Sequence, residues 1–110
     1  MTETLDVWTA RFLDHLVVER GLAANTLVAY RRDLRRYVAF CDERDVRAPA
    51  AVDESTIRSF VASVSASTWG EGEHPYGART VARTLSSVRS FHRFLLREGA
   101  AARDPGSTLM

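Results

Sequence analysis

Hydrophobic residues recur every three or four positions in four segments of the chain, which is the spacing of one face of an α-helix. The segments run from about residue 4 to 20, 25 to 41, 54 to 65 and 78 to 98. Hydrophobic and polar residues do not alternate along any stretch, so no β-strand and no sheet are predicted. In a chain of 110 residues, this pattern predicts one all-α domain with four main helices.

Residues typical of helix ends separate these segments. Gly21 and Gly99 follow the first and fourth helices, where glycine readily adopts a left-handed backbone. The pair Asn25-Thr26 and the residue Asp53 stand where side chains cap the second and third helices. The predicted connections are loops over 42–52 and 66–77, and a tail or linker over 100–110.

The fourth helix has two unlike faces. One is an apolar stripe that includes a histidine, formed by Val81, Leu85, Val88, His92 and Leu95. The opposite face is basic and otherwise small, with Arg83, Ser86, Ser87, Ser90 and Arg97. A face that is only solvated normally mixes charge signs in i,i+4 pairs. Small side chains between arginines instead allow close approach to a polyanion.

Charge is divided sharply along the chain. Residues 25–41 hold four arginines and one aspartate, and residues 79–97 hold five arginines and no acid. These two segments carry +8 and the remainder carries −7, although the whole chain has a net charge of only +1. Segregation of this kind indicates one oriented anionic partner. For nucleic acid, arginines on a helix in the major groove would read bases or meet phosphates.

Candidate catalytic and metal-binding residues have simpler interpretations. His15, His74 and His92 share no metal-ligand spacing, and the loop carboxylates, including Glu71 and Glu73, form no catalytic pair. His92 and Cys41 lie on apolar stripes and are interpreted as core residues. Core or core-edge positions are likewise favoured for Tyr30 and Tyr37. We therefore expect no active site, no metal and no cofactor in this chain.

Other properties of the chain limit its class and location. No apolar run approaches the roughly 18 residues of a membrane span. The N-terminal sequence MTETLDVW lacks the basic and apolar regions of a signal peptide. The single cysteine cannot form an internal disulfide and is compatible with a reducing compartment. A cytoplasmic protein without membrane contact is expected.

Two other kinds of protein would also fit a small helical domain and stay open at this point. A stand-alone helical regulator would need a dimer interface and a tight turn between two helices, whereas 11 residues separate the second and third helices here. A protein-interaction module would expose apolar anchors, whereas these helices expose arginines.

Two blocks of the sequence resemble a known family. The run ERGLAANTLVAYRRDLRRYVAFC, residues 19–41, resembles the N-terminal core-binding domain of tyrosine recombinases, which include Xer-type recombinases and phage integrases. RTVARTLSSVRSFHRFLLREG, residues 79–99, followed by Asp104-Pro105, resembles the second block of that domain. The likeness covers about residues 5–105, although Asp-Pro replaces the commoner Asn-Pro and the 66–77 loop is longer than in many relatives. It does not distinguish XerC, XerD and phage integrase.

The resemblance implies a fold and a function. The fold would be a four- to five-helix, SAM-like orthogonal bundle over residues 1–99. It would form half of a C-shaped clamp on double-stranded DNA, with its second and fourth helices across the major groove. The full-length protein would cut and rejoin DNA through a C-terminal catalytic domain that this chain lacks. Such a protein would pair with another recombinase in a tetrameric synapse and serve chromosome dimer resolution or DNA integration.

Carried over by position, the resemblance also implies DNA-contacting residues. In the second helix these are Asn25, Thr26, Ala29, Arg32, and Arg35 or Arg36. In the fourth helix they are Arg79, Thr80, Arg83 and Ser87. No tyrosine of this chain matches the family's nucleophile.

Overall fold

The computed structural model describes residues 3–66, 68–69, 74–75 and 77–107. The chain forms four α-helices, namely α1 (Leu5–Val18), α2 (Ala24–Glu43), α3 (Glu54–Ala66) and α4 (Ala78–Arg97). A short 3₁₀ turn over Pro49–Ala51 precedes α3. The predicted all-α bundle with four main helices is confirmed.

A short antiparallel pair connects α3 to α4. Strands β1 (Thr68–Trp69) and β2 (His74–Pro75) pair so that Thr68 lies opposite Pro75 and Trp69 opposite His74. The prediction of no sheet is wrong at this place, because two residues per strand are too short to produce a recognisable alternation. The predicted loop positions Glu71 and Glu73 and the His74 side chain lie outside the described residues.

The helix ends follow the predicted signals in part. Gly21 and Gly99 have φ angles of 56° and 76°, the left-handed values for which glycine is suited. Asp53 caps α3, because its Oδ1 accepts a hydrogen bond of 2.8 Å from the Thr56 amide. The predicted Asn25-Thr26 cap is wrong, since α2 begins earlier and its N-cap is Ala23. Both residues instead lie in the first turn of the helix.

The core forms where α1, α2 and α3 pack around α4. Phe91 is fully buried, and its ring centroid lies 5.6 Å from that of Phe12 on α1. On the α2–α3 side, the rings of Tyr37 and Phe60 lie 5.0 Å apart. Burying aromatic rings removes large apolar areas from water, so this contact set fixes how α4 sits in the bundle. It thereby also fixes which side of α4 faces outward.

Polar groups inside the core are held by hydrogen bonds. The Tyr37 hydroxyl and His92 Nε2 lie 2.7 Å apart between α2 and α4. Burial lowers the pKa of His92 to about 4, so the ring is neutral near pH 7. Burial also raises the pKa of Tyr37 and brings the pKa of the Cys41 thiol to about 11. The prediction that His92, Tyr37 and Cys41 are core residues is confirmed.

Residues 100–107, predicted as a tail or linker, fold back on α4. The Ala100 amide donates a 2.9 Å hydrogen bond to the Leu95 carbonyl. Asp104 Oδ1 accepts a 2.9 Å bond from the Gly106 amide and closes a turn. Gly106 is buried, and a Cβ atom there would lie 3.3 Å from Cγ of Arg89. This turn therefore covers one flank of α4.

Candidate nucleic-acid interface

One buried carboxylate joins the two arginine-rich helices. Asp33 on α2 is fully buried, and its Oδ2 and Oδ1 accept bonds of 3.0 and 2.9 Å from Arg83 Nε and Nη2. The hydroxyls of Thr84 and Ser87 each lie 3.4 Å from the same carboxylate. We call these four residues the seam, since they mark where α2 and α4 meet.

The seam reaches the surface at Arg83, whose side chain is 37% exposed. On α2, Ala29 and Arg36 lie four residues before and three after Asp33. On α4, Arg79 and Ser86 have the same relation to Arg83. Residues at these spacings share one side of a helix. Two rows of side chains therefore border the seam from its two sides.

The α2 row consists of Asn25, Ala29, Arg32 and Arg36. Asn25 and Arg32 are exposed, while Ala29 and Arg36 are half-buried. Nε and Nη2 of Arg36 are themselves buried, so only part of its guanidinium reaches the surface. Thr26, also predicted from the resemblance, is exposed in the first turn of α2.

Arg35 lies away from this row. With Arg31 it lines a groove between α1 and α2, together with residues such as Asp6 and Leu13. Successive positions of a helix are turned by about 100°, so Arg35 and Arg36 leave α2 in different directions. Of the pair Arg35 or Arg36, the structure puts Arg36 beside the seam.

The α4 row consists of Arg79, Ser86, Arg93 and Arg97, all of them exposed. Thr80, predicted as a contact, is half-buried at the start of the helix. Neither α4 nor α2 has a side-chain cap, since their N-caps are Gly77 and Ala23. The first-turn amides of both helices therefore add partial positive charge beside the arginines.

Ser87 does not belong to the exposed face on which the sequence placed it. It is fully buried, and its hydroxyl donates a 2.8 Å bond to the Thr84 carbonyl in addition to facing Asp33. The helical spacing underestimated the buried sector of α4, which includes Thr84, Ser87 and Phe94 beside the apolar stripe. Ser87 is thus a packing residue that no ligand reaches in this conformation.

Three residues of this surface were missed as site candidates. Arg93 and Ser86 lie on the exposed row, and Arg93 Nη2 donates a 3.0 Å bond to the Ser90 hydroxyl. Arg79, Ser86 and Arg93 follow one another at intervals of seven residues, and this spacing was a visible signal. Asp33 was the third, and its signal was that it is the single acid among the four arginines of residues 25–41.

Arg97 closes the row at the α1 end of the surface. Its Nη2 lies 3.0 Å from His15 Nε2, and its guanidinium carbon lies 5.7 Å from the Phe94 ring centroid. A hydrogen bond and a cation–π contact restrict this side chain more than that of an unconstrained surface arginine. Arg97 therefore takes part in the contact between α1 and α4, which limits its freedom to meet a ligand.

The described residues offer binding groups but no catalytic arrangement. They contain no cluster of three or more potential metal ligands. Tyr37 is fully buried and bonded to His92, while Tyr30 packs against the core. Within the same part of the chain, no helix is both long and apolar enough to cross a membrane. What the surface presents is a set of arginines, hydroxyls and helix N-termini.

Comparison with known proteins shows the family of this chain. The family described as "Phage integrase, N-terminal SAM-like domain" matches residues 9–99. The chain is 41% identical over 102 residues to tyrosine recombinase XerD of Mycobacterium tuberculosis, a match that covers 93% of this chain and 33% of the relative.

Other relatives carry both Xer names. Tyrosine recombinase XerD of Listeria monocytogenes is 41% identical over 95 residues, covering 86% of this chain and 30% of the relative. Tyrosine recombinase XerC of Azotobacter vinelandii is 38% identical over 98 residues, covering 89% of this chain and 30% of the relative. The chain thus spans about a third of the length of the curated relatives it matches. No solved structure gives a significant match. The chain belongs to the phage integrase N-terminal SAM-like domain family.

Proposed function

We propose that this chain is the DNA-gripping domain of a Xer-type tyrosine recombinase and binds duplex DNA through the two rows beside the seam. The observation that carries the proposal is the seam itself, because Asp33 is the only acid of residues 25–41 and α4 has none. Its carboxylate is turned inward to Arg83. The two rows beside the seam consist of arginines, Asn25 and small residues, which suit a phosphate backbone.

The candidate contacts divide by position. The exposed charges Arg32, Arg79 and Arg93 are proposed to meet phosphates. The small residues Ala29 and Ser86 allow the helices to approach the major groove, where Asn25 and Thr26 are within reach of base edges. With these three arginines at phosphates, log K should fall against log salt with a slope of about −3.

The names of the relatives support the wider role. We propose that a longer protein containing this domain cuts and rejoins DNA with a paired recombinase, in DNA integration or chromosome dimer resolution, in the cytoplasm. The chain alone is proposed not to cleave DNA, since of the tyrosines in the described residues Tyr37 is buried and Tyr30 packs on the core. A covalent adduct between this chain and a nicked duplex would contradict that statement.

The binding test uses two double variants of matched charge. A 30-base-pair duplex is first selected from a random library by the wild-type chain, and a scrambled duplex of equal composition serves as the comparison. We expect Arg32→Gln/Arg79→Gln to weaken binding and to make the salt slope shallower by about two. Arg44→Gln/Arg58→Gln, which removes two exposed arginines outside the rows, should leave both unchanged. Equal weakening by the two double variants would overturn the assignment of the surface.

A further inference from the structure

We infer that Asp33 is a positioning residue for DNA binding, which holds Arg83 in place and keeps its charge out of the phosphate-binding rows. The inference rests on the proposed function, because it assumes that the two rows beside the seam bind DNA. It assigns Arg83 a role different from that of a phosphate contact.

The first step is the geometry of the carboxylate. Asp33 is fully buried, and the side chains around its carboxylate come from a five-residue segment of α4. Arg83 supplies two of them at 2.9 and 3.0 Å, in the bidentate geometry of a strong ion pair. The hydroxyls of Thr84 and Ser87 lie 3.4 Å away on the buried side, and that of Ser87 bonds the Thr84 carbonyl at the shorter distance of 2.8 Å. A carboxylate satisfied in this way sets the register and spacing of α2 against α4.

The second step is the cost of disturbing the pair. If Arg83 moved to a phosphate, Asp33 would remain inside the protein with hydroxyl partners alone. An uncompensated buried charge is strongly unfavourable. Arg83 therefore stays with Asp33 and releases no counterion when the protein binds DNA, unlike an exposed arginine of either row.

The third step is the resulting charge pattern. Arg32 and Arg36 lie on one side of the seam, and Arg79 and Arg93 on the other. The ion pair between them has no net charge. The surface thus presents two positive rows with a neutral strip between them, a pattern that matches two phosphate strands on either side of a groove.

The test replaces Asp33 by the nearly isosteric asparagine. In Asp33→Asn, Arg83 keeps its charge but no longer forms its bidentate ion pair with Asp33, so we expect it to act as an additional phosphate ligand. We expect the salt slope to become steeper by about one. The scrambled duplex should bind more tightly, and the preference for the selected duplex should fall. Asp14→Asn changes net charge equally at an exposed position on α1 and should leave the slope and the preference at wild-type values.

A second variant keeps the test decisive even if Asp33→Asn does not fold. Asp33→Asn/Arg83→Gln replaces the ion pair by two neutral amides and should retain the wild-type salt slope. If Arg83 met a phosphate in the wild type, the salt slope of this double variant would be shallower than that of the wild type by about one. Helical circular dichroism confirms that each variant is folded.

The outcomes separate the two claims. The inference would be overturned if Asp33→Asn is folded and keeps the salt slope and the duplex preference of the wild type. It would also be overturned if the double variant has a shallower salt slope than the wild type. Neither result would contradict the proposed function. A wild-type chain that binds no duplex in a salt-dependent way would overturn the proposed function and this inference with it.

Discussion

Helices α3 and α4 both carry arginine but place it in opposite ways. On α3, Arg58 pairs with Glu54 of the same helix, and both side chains are more than 40% exposed. On α4, Arg83 pairs with a buried aspartate of another helix. The first helix balances its charge on its own surface, whereas the second uses one arginine to build the interior and exposes the others. The number of arginines on a helix therefore does not show which of them are available to a ligand; the positions of their acidic partners must be known as well.

The two helices also differ at their first turns. Asp53 caps α3, and the Thr56 amide and hydroxyl both bond its carboxylate. These bonds lower the pKa of Asp53. Helix α4 begins after Gly77 without a side-chain cap or an acid in its first turn. Among the described residues, a side chain caps the terminus of α3 and none caps that of α4.

The largest expected difference between the helices is in stability. Arg83→Ala leaves Asp33 buried without its cation and should lower the free energy of unfolding by about 3–5 kcal/mol. Arg58→Ala removes an exposed i,i+4 pair and should cost only about 0.3–0.5 kcal/mol. Urea unfolding followed by circular dichroism measures both. Similar losses in the two variants would contradict the distinction between interior and surface arginines.

A pH effect should follow from the histidine that α4 buries. The pKa of His92 is lowered to about 4 in the folded chain, against about 6.5 in the unfolded chain. Between these values the unfolded state binds more protons, so stability falls as pH falls from about 6.5 to 4, by about 3 kcal/mol in total.

His92→Gln tests this effect, because glutamine can still accept the Tyr37 hydrogen bond without titrating. Urea midpoints measured at pH 7 and 4.5 should differ much less in this variant than in the wild type. An unchanged pH dependence in His92→Gln would assign the effect to other groups.

The next comparison concerns access to the surface of α4. Ser86 on α4 and Ser55 on α3 are both exposed. Ser86→Glu adds bulk and a negative charge beside the arginine row and should weaken duplex binding by about tenfold or more at low salt. Ser55→Glu should have almost no effect. Fluorescence anisotropy with a labelled duplex distinguishes them, and equal losses would mean that only net charge matters.

The smallest expected effect is that of one exposed arginine. Arg93→Gln should make the salt slope shallower by about one, with a modest loss of affinity that is similar for selected and scrambled duplexes. Arg58→Gln is the control on α3 and should leave the slope unchanged. Titrations at a series of salt concentrations give the slopes directly. A sequence-dependent loss in Arg93→Gln would make it a base contact instead of a phosphate contact.

The helices were predictable because their determinants are local. Hydrophobic spacing, the Asp53 cap and the glycines at 21 and 99 all act within a few residues. The position of Ser87 was not predictable in this way. Spacing placed it opposite Val88 and His92, but α2 packs on α4 from that side and buries it. The extent of a buried sector depends on where the neighbouring helix lies.

The same limit applies to Asp33 and Arg83, which are 50 residues apart in sequence. Arg83 was predicted on the exposed face of its helix, and only its contact with Asp33 reveals that its charge is neutralised. The difference between Arg35 and Arg36 likewise follows from α1, which forms a groove with the side of α2 that carries Arg35. Charge segregation indicated α2 and α4 as candidates, and tertiary packing determines which of their residues are accessible.

The most direct test of the central claim is a nuclear magnetic resonance titration of the ¹⁵N-labelled chain with the selected duplex. We expect the largest changes in amide chemical shift along both rows, at Asn25, Arg32, Arg36, Arg79, Ser86 and Arg93. The exposed side of α3, including Ser55 and Arg58, should shift little. Shifts concentrated on α3, or on the groove between α1 and α2, with α4 unaffected, would contradict the claim that the rows beside the seam bind DNA.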